Sequence, residues 1–331
     1  MTDFLLPLST PPMEARTASE IPVEGGPWQY EPKWDGFRCL IFKEGAAVEL
    51  RAKSGKSLSR FFPEVLDVFR RAKPSRFVVD SELVIEVGGR NSFDALQMRL
   101  HPAESRIRRL AVETPATAIL FDALALPDDR DLLRKPLSRR RPALEALLPG
   151  AGIEGMRLSP QTRDRDVAAR WLADRSGETD GIVAKPLDEP YRPGERAMVK
   201  VKRSRSADCV VAGFRYLTER PEVGSLLLGL YDDRGLLHHV GFTSTIANTE
   251  RAALTRKLEA LKAPSSFTGR TPGGRSRWST ERSGDWQPVR PDLVVEVSYN
   301  HVTGDRFRHG TRLLRWRPDK SPRQCTFDQL S

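Results

Sequence analysis

The chain has 331 residues, 39% hydrophobic and 30% charged, which suggests roughly two domains of about 150 residues, each able to bury a core. Lys and Arg total 54 against 44 Asp and Glu, a net charge of +10 that points to a polyanionic partner. No apolar run nears the roughly 20 residues of a membrane span, the first ten residues lack the basic start of a secretory signal, and Cys39, Cys209 and Cys325 are too far apart for zinc-ligand spacing. Structural zinc and a disulfide scaffold are therefore disfavoured, and a reducing, cytoplasmic compartment is expected.

Residues 1–30 are rich in Pro and Gly and read as an irregular arm, with ordered patterning from Trp28. Residues 38–42 and 47–51 read as strands around a turn at Gly45. Residues 77–80 and 118–122 read as short apolar strands, each ending in a carboxylate. Helices are expected between them. Pro63 opens one that buries Val65, Leu66 and Phe69. Ser92 caps one with Ala95 and Leu96 inward. Ser138 caps one with Leu144, Leu147 and Leu148 inward, and Arg139, Arg140 and Arg141 open it on the surface. Asp164 caps a last one with Val167, Trp171 and Leu172 inward. This part is α+β and spans residues 1–203.

The pattern changes after Lys202. Residues 209–216, 225–231, 236–243, 293–299 and 313–317 read as strands, and residues 249–261 as a helix with Leu254, Leu258 and Leu261 on one face. Five strands and one helix over residues 204–331 fit a small β-barrel of the OB-fold type. This domain holds 20 basic and 14 acidic residues, so the smaller domain has the higher charge density.

The central chemical signal is Glu31-Pro32-Lys33-Trp34-Asp35-Gly36-Phe37-Arg38. A Lys just before an Asp-Gly turn is by itself a weak motif, since most such lysines are solvated. Its weight comes from the ordered series of elements downstream: Asp80-Ser81-Glu82, Phe121-Asp122, Asp180-Gly181-Ile182-Val183-Ala184-Lys185, Lys200-Val201-Lys202, and Arg317-Pro318-Asp319-Lys320. A nucleophilic Lys must be neutral, so an ordinary pKa near 10.4 must fall by about 3, roughly 4 kcal/mol, for attack near neutral pH. Lys200 and Lys202, at i and i+2 of a strand, face one side together and are the nearby cations that burial would assist. Glu82 and Asp180 offer the hard oxygen donors that magnesium or manganese prefers, and Glu82 equally suits a ribose hydroxyl, with Asp80 to support it.

In this order the elements resemble the nucleotidyltransferase superfamily of ATP-dependent DNA ligases, RNA ligases and capping enzymes, over residues 31–320. The resemblance implies an adenylation domain followed by an OB-fold domain, with ATP and a divalent cation as cofactors. It implies that Lys33 becomes adenylated, Phe121 stacks on the purine, Glu31 reads the adenine amino group, and Arg38 contacts the nucleotide and the nick. Lys185, Lys200 and Lys202 would hold the nucleotide. Arg317, Asp319 and Lys320 would orient the departing pyrophosphate as the small domain closes over ATP, before it swings away toward DNA. The chain departs from the family in three places: Ser81 stands where Gly is usual, Asp180 where Glu is usual, and Lys53 where Arg is usual, which keeps the charge and loses the guanidinium fork.

The phrases at residues 30–38, 307–312 and 314–322 resemble most closely the small bacterial repair ligases of the C type and the ligase domain of the D type. That likeness implies a monomer sealing nicks with 3′-hydroxyl and 5′-phosphate ends in double-stranded DNA, in end joining or excision repair. Partners such as Ku or a primase-polymerase are implied by the same likeness, and no membrane partner is. DNA contacts are expected from Arg203, Arg205, Arg275, Arg277, Arg308, Arg312 and Arg315. The alternatives are an RNA ligase or capping-type enzyme, and a nonenzymatic OB-fold binder of nucleic acid.

Overall fold

The computed structural model describes residues 3–23, 26–147, 154–174, 179–203, 205–273, 285–300 and 302–330. Its chain divides into two units, residues 1–203 and 204–331.

In the first unit, β1 (Ala15–Ala18), β2 (Trp28–Trp34), β3 (Phe37–Glu44) and β4 (Ala47–Ala52) lead to α1 (Pro63–Arg71). Then come β5 (Arg76–Val87), β6 (Arg90–Asn91), α2 (Phe93–Arg99), α3 (Glu104–Glu113), β7 (Ala116–Ala125), α4 (Leu137–Leu147) and β8 (Met156–Leu158). The unit ends with α5 (Arg165–Ala173), β9 (Thr179–Pro186) and β10 (Met198–Lys202). Two sheets form, ordered β4-β3-β5-β7-β8 and β1-β10-β9-β2.

Both faces of β3 are apolar, and period-two alternation sends them to different cores. Cys39 and Ile41 pack with Phe62, Val65 and Phe69 of the α1 region and Leu144 of α4. Leu40 and Phe42 pack with Met13, Val78, Tyr191 and Met198 between the two sheets. A third core, with Tyr30, Ile182, Ala184, Val199 and Val201, lies against Ala168, Trp171 and Leu172 of α5. The layers run helix, sheet, sheet, helix.

Several expectations change. The N-terminal arm is not wholly irregular, because β1 adds in parallel to β10 with Thr17 opposite Lys200. Asp80, Glu82 and Asp122 do not end their strands; β5 and β7 run on to Val87 and Ala125 as central strands paired along their length. Helix α3 has no counterpart among the helices expected from the sequence. Ser92 and Asp164 do cap their helices, accepting from Ala95 N–H and from Asp166 and Val167 N–H. Ser138 instead lies inside α4. Its N–H and that of Leu137 donate to the Leu187 and Glu189 carbonyls, so a neighbouring loop does the work of a cap. Leu148 lies outside the described residues. Arg140 and Arg141 are buried at 1% and 5% exposure, not on the surface.

The second unit holds β11 (Arg205–Tyr216), β12 (Val223–Tyr231), β13 (Leu237–Thr243), α6 (Asn248–Glu259), β14 (Gln287–Tyr299), β15 (Val302–Thr303), β16 (Arg306–Phe307) and β17 (Arg312–Trp316). Its main sheet is ordered β13-β12-β11-β14-β17. Among the described residues the ladder does not close into a barrel. The two edges approach through one bridge, Thr243 with Thr311, where Thr311 N–H donates to the Phe242 carbonyl.

Candidate active site

A cavity of about 870 Å³ opens in the first unit. Glu31, Lys33, Arg38, Lys53, Glu82, Phe121, Lys185 and Lys200 all line it, and Lys202 does not. The strands explain the convergence. Antiparallel pairing of β2 with β9 sets Glu31 opposite Val183 and Gln29 opposite Lys185, and β9 pairs in turn with β10, which carries Lys200 and Lys202. Pairing of β3 with β5 sets Arg38 opposite Glu82.

Lys33 lies at the end of β2 with Nζ 2.8 Å from Asp180 Oδ2, and Lys202 Nζ approaches the same oxygen at 3.4 Å. Asp180 is 6% exposed and does not itself line the cavity. The Asp-Gly sequences on either side have a steric reason. A Cβ on Gly36 would lie 2.1 Å from the Leu83 carbonyl oxygen, and one on Gly181, at φ +137°, would lie 2.1 Å from that of Val201. Both glycines let their own backbone lie close against a neighbouring strand, Gly36 against β5 and Gly181 against β10.

Glu82 accepts from Gly36 N–H at 3.1 Å, and burial pushes its carboxyl up to about 7, against the pull of Arg38 and Lys33. Burial lowers Lys200, helped by Lys202 and Lys33. Among the described residues no cluster of three or more metal-ligating side chains exists. Two hard carboxylates beside a cationic pocket nevertheless suit magnesium, which takes one or two protein carboxylates and completes its shell with phosphate and water.

At the other end, Glu31 is held by Lys185 Nζ at 2.8 Å and by the Gln29 amide at 2.8 Å, with Arg141 Nη1 at 3.8 Å. The Phe121 ring has Lys185 Nζ 4.4 Å and the Arg38 guanidinium 4.6 Å from its centroid. Arg38 makes two 2.6 Å bonds to Asp80, which also accepts from the Tyr191 hydroxyl at 2.6 Å. Asp80 thus supports Arg38 and not Glu82. Cys39 is fully buried, and burial raises its thiol well above the ordinary value.

Sequence reasoning missed the wall formed by Pro12 to Ala15. Met13 donates its N–H to Tyr191 and its carbonyl accepts from Arg38. Glu14 pairs with Lys53 at 2.9 Å, and that bond holds its carboxyl below the usual value. Nothing in the arm's composition signals this. Arg141 did leave a signal: Leu137, Arg140, Arg141 and Leu144 stand at i, i+3, i+4 and i+7, the inward stripe of a helix.

Arg317, Asp319 and Lys320 form their own cluster in the second unit, on Asp208. Arg205, Arg308, Arg312 and Arg315 are also in that unit, and Arg315 bonds Glu296 at 2.7 Å. Arg203 donates to the Leu172 carbonyl. Arg275 and Arg277 lie outside the described residues.

Residues 12–202 match the family model for the ATP dependent DNA ligase domain, and residues 219–320 match that for the ATP dependent DNA ligase C terminal region. The chain is 44% identical to DNA ligase C2 of Mycolicibacterium smegmatis, over 98% of this chain and 96% of that protein. It is 30% identical to the multifunctional non-homologous end joining protein LigD of the same species, over 96% of this chain and 39% of that one. The crystal structure of the ligase domain of M. tuberculosis LigD superposes with a TM-score of 0.51 at 28% identity, covering 96% of this chain and 98% of that one.

Proposed function

We propose that this chain, which belongs to the ATP-dependent DNA ligase family, seals nicks bearing 3′-hydroxyl and 5′-phosphate ends through a lysyl-AMP on Lys33. The observation that carries this is the convergence of Lys33, Glu31, Arg38, Glu82, Phe121, Lys185 and Lys200 on one cavity. In this reading residues 1–203 are the adenylation domain and residues 204–331 an OB-type domain. The strand order and the Thr243–Thr311 bridge support the second assignment.

The Lys33 amine, once it has lost its proton, forms the bond to the α-phosphorus of ATP. The bond from that phosphorus to the bridging oxygen breaks, and its electron pair leaves with pyrophosphate. Asp180 fixes the Lys33 head for this attack. Lys200 and Lys202 offset charge on the phosphates. Phe121 gives the purine an apolar face, and Glu31, fixed by Lys185 and Gln29, presents an acceptor to its amino group. Glu82 and Asp180 would hold a divalent cation, which when bound screens the phosphate charge. The AMP then passes to the 5′-phosphate of the nick, and the 3′-hydroxyl displaces it.

The kinship with an end-joining protein supports a role in DNA repair, with nicked duplex as substrate and end-joining factors as candidate partners. The test is sealing of a singly nicked duplex with ATP or GTP, in parallel DNA and RNA versions. Sealing of nicked DNA with ATP is expected. Equal sealing of nicked RNA, or preference for GTP, would contradict the reading.

A further inference from the structure

In the second unit a single carboxylate grips two of the residues assigned above to pyrophosphate. Asp208 lies on β11 and is 8% exposed. Both of its oxygens are 2.9 Å from Arg317 Nη1, and Oδ2 is 2.7 Å from Lys320 Nζ. Asp319 takes the other edge of the same guanidinium, with Nε and Nη2 at 2.8–3.2 Å. Asp208 is itself fixed by its backbone: Asp208 N–H donates to the Gln329 amide oxygen at 2.9 Å, and Gln329 Nε2 donates to the Asp208 carbonyl at 3.2 Å.

Arg and Lys heads ride on long stems, and free rotation would scatter them. Here a half-buried guanidinium and a half-buried ammonium share one anchor on a central strand, and the anchor is clamped from the chain's last turn. Such an arrangement defines the spacing of two positive heads before any anion arrives. An exposed ion pair kept only for stability would contribute little and would need neither the second cation nor the clamp.

We propose that Asp208 is a positioning residue for the attack on ATP: it sets the separation and orientation of the Arg317 and Lys320 heads that meet the departing pyrophosphate, and Gln329 fixes Asp208 in turn. This rests on the assignment of Arg317 and Lys320 to pyrophosphate. It predicts a step-selective defect, because later transfer and sealing release no pyrophosphate.

The experiment compares the full-length protein with Asp208→Asn, Asp208→Glu, Gln329→Ala and Arg317→Ala. Two rates are measured: adenylate formation from ATP, and sealing of a nick already carrying a 5′-adenylate, without ATP. Asp208→Asn should slow adenylate formation by about tenfold or more, as misplacement of charged groups does, while sealing of the pre-adenylated nick stays near wild type. Asp208→Glu should recover part of the rate. Gln329→Ala should show the same selectivity more weakly and serves if Asp208→Asn fails to fold. Loss of both rates together would overturn the proposal in favour of a purely structural role. Normal adenylation in Asp208→Asn, with Arg317→Ala impaired, would also overturn it. Normal adenylation in Arg317→Ala would instead remove the pyrophosphate assignment beneath it.

Discussion

Arg140 and Asp122 are both about 1% exposed, and they meet through two parallel bonds of 2.8 and 3.0 Å. Arg140 also donates to the Lys135 and Glu189 carbonyls, so nearly all of its fork is engaged. Asp122 comes directly after Phe121, which ties the ring proposed to face the purine to a buried ion pair. Removing one partner leaves the other charged in an apolar setting. Arg140→Ala should therefore cost about 3–5 kcal/mol, whereas Arg140→Met combined with Asp122→Leu should recover most of it, because the pair is desolvated as a unit. Denaturant unfolding of the three proteins checks this. A single-variant loss below about 1 kcal/mol, the size of a surface pair, would contradict it. The pair was hidden in the sequence because a run of three arginines ordinarily lies in solvent. Only their coincidence with the Leu137 and Leu144 stripe marks two of them as inward.

At the scale of elements, the strands that carry chemistry were legible where one strand held its own evidence. Lys200 and Lys202 at alternate positions, and the apolar run before Asp80, are of this kind. What depends on a distant partner was not legible. Lys43 lies at 2% exposure on β3, and its Nζ donates to the Phe69, Arg70 and Ala72 carbonyls at the end of α1. A buried lysine closing a helix C-terminus cannot be read from a strand pattern. The same holds for β1, whose short run pairs with a strand some 180 residues later. In the second unit, His239 on β13 is buried beside Arg306, and burial together with Arg306 and Arg215 lowers it to about 3. Its folded value lies below the unfolded value near 6.5, so between about pH 6.5 and 3 the unfolded chain binds a proton that the native chain does not. Stability of this unit should be full above that window and fall as the medium is acidified through it. Hydrogen exchange of β12 and β13 at pH 5 and 7.5 reads the effect. His239→Gln should flatten the difference, and an unchanged difference would assign it to other groups.

At the scale of the whole molecule, two units with separate cores share a net charge of +10. The family was readable because its elements recur in order across both, and no single one of them would have sufficed. Side chains written across about 170 residues, from Glu31 to Lys200, meet at one cavity because antiparallel pairing of β2, β9 and β10, and of β3, β5 and β7, stacks their strands side by side. If about four to six phosphates of nicked DNA are neutralised, a fourfold rise in salt should weaken binding by about 10²–10³. Adenylate formation, which involves only ATP, should change far less over the same range. Binding measured by anisotropy beside adenylation at each salt concentration separates the two, and equal loss in both would argue against a charged DNA surface.

The most direct test concerns the nucleophile. The protein is incubated with magnesium and ATP labelled at the α-phosphate, beside Lys33→Ala, and resolved on a denaturing gel after any adenylate already present is discharged with pyrophosphate. If Lys33 carries the AMP, the wild-type band is labelled and nicked DNA discharges it, while no label appears on a Lys33→Ala protein that unfolds at the wild-type temperature. Undiminished label on Lys33→Ala would contradict that role, because the geometry around Asp180, Gly36 and the cavity would then serve a different nucleophile.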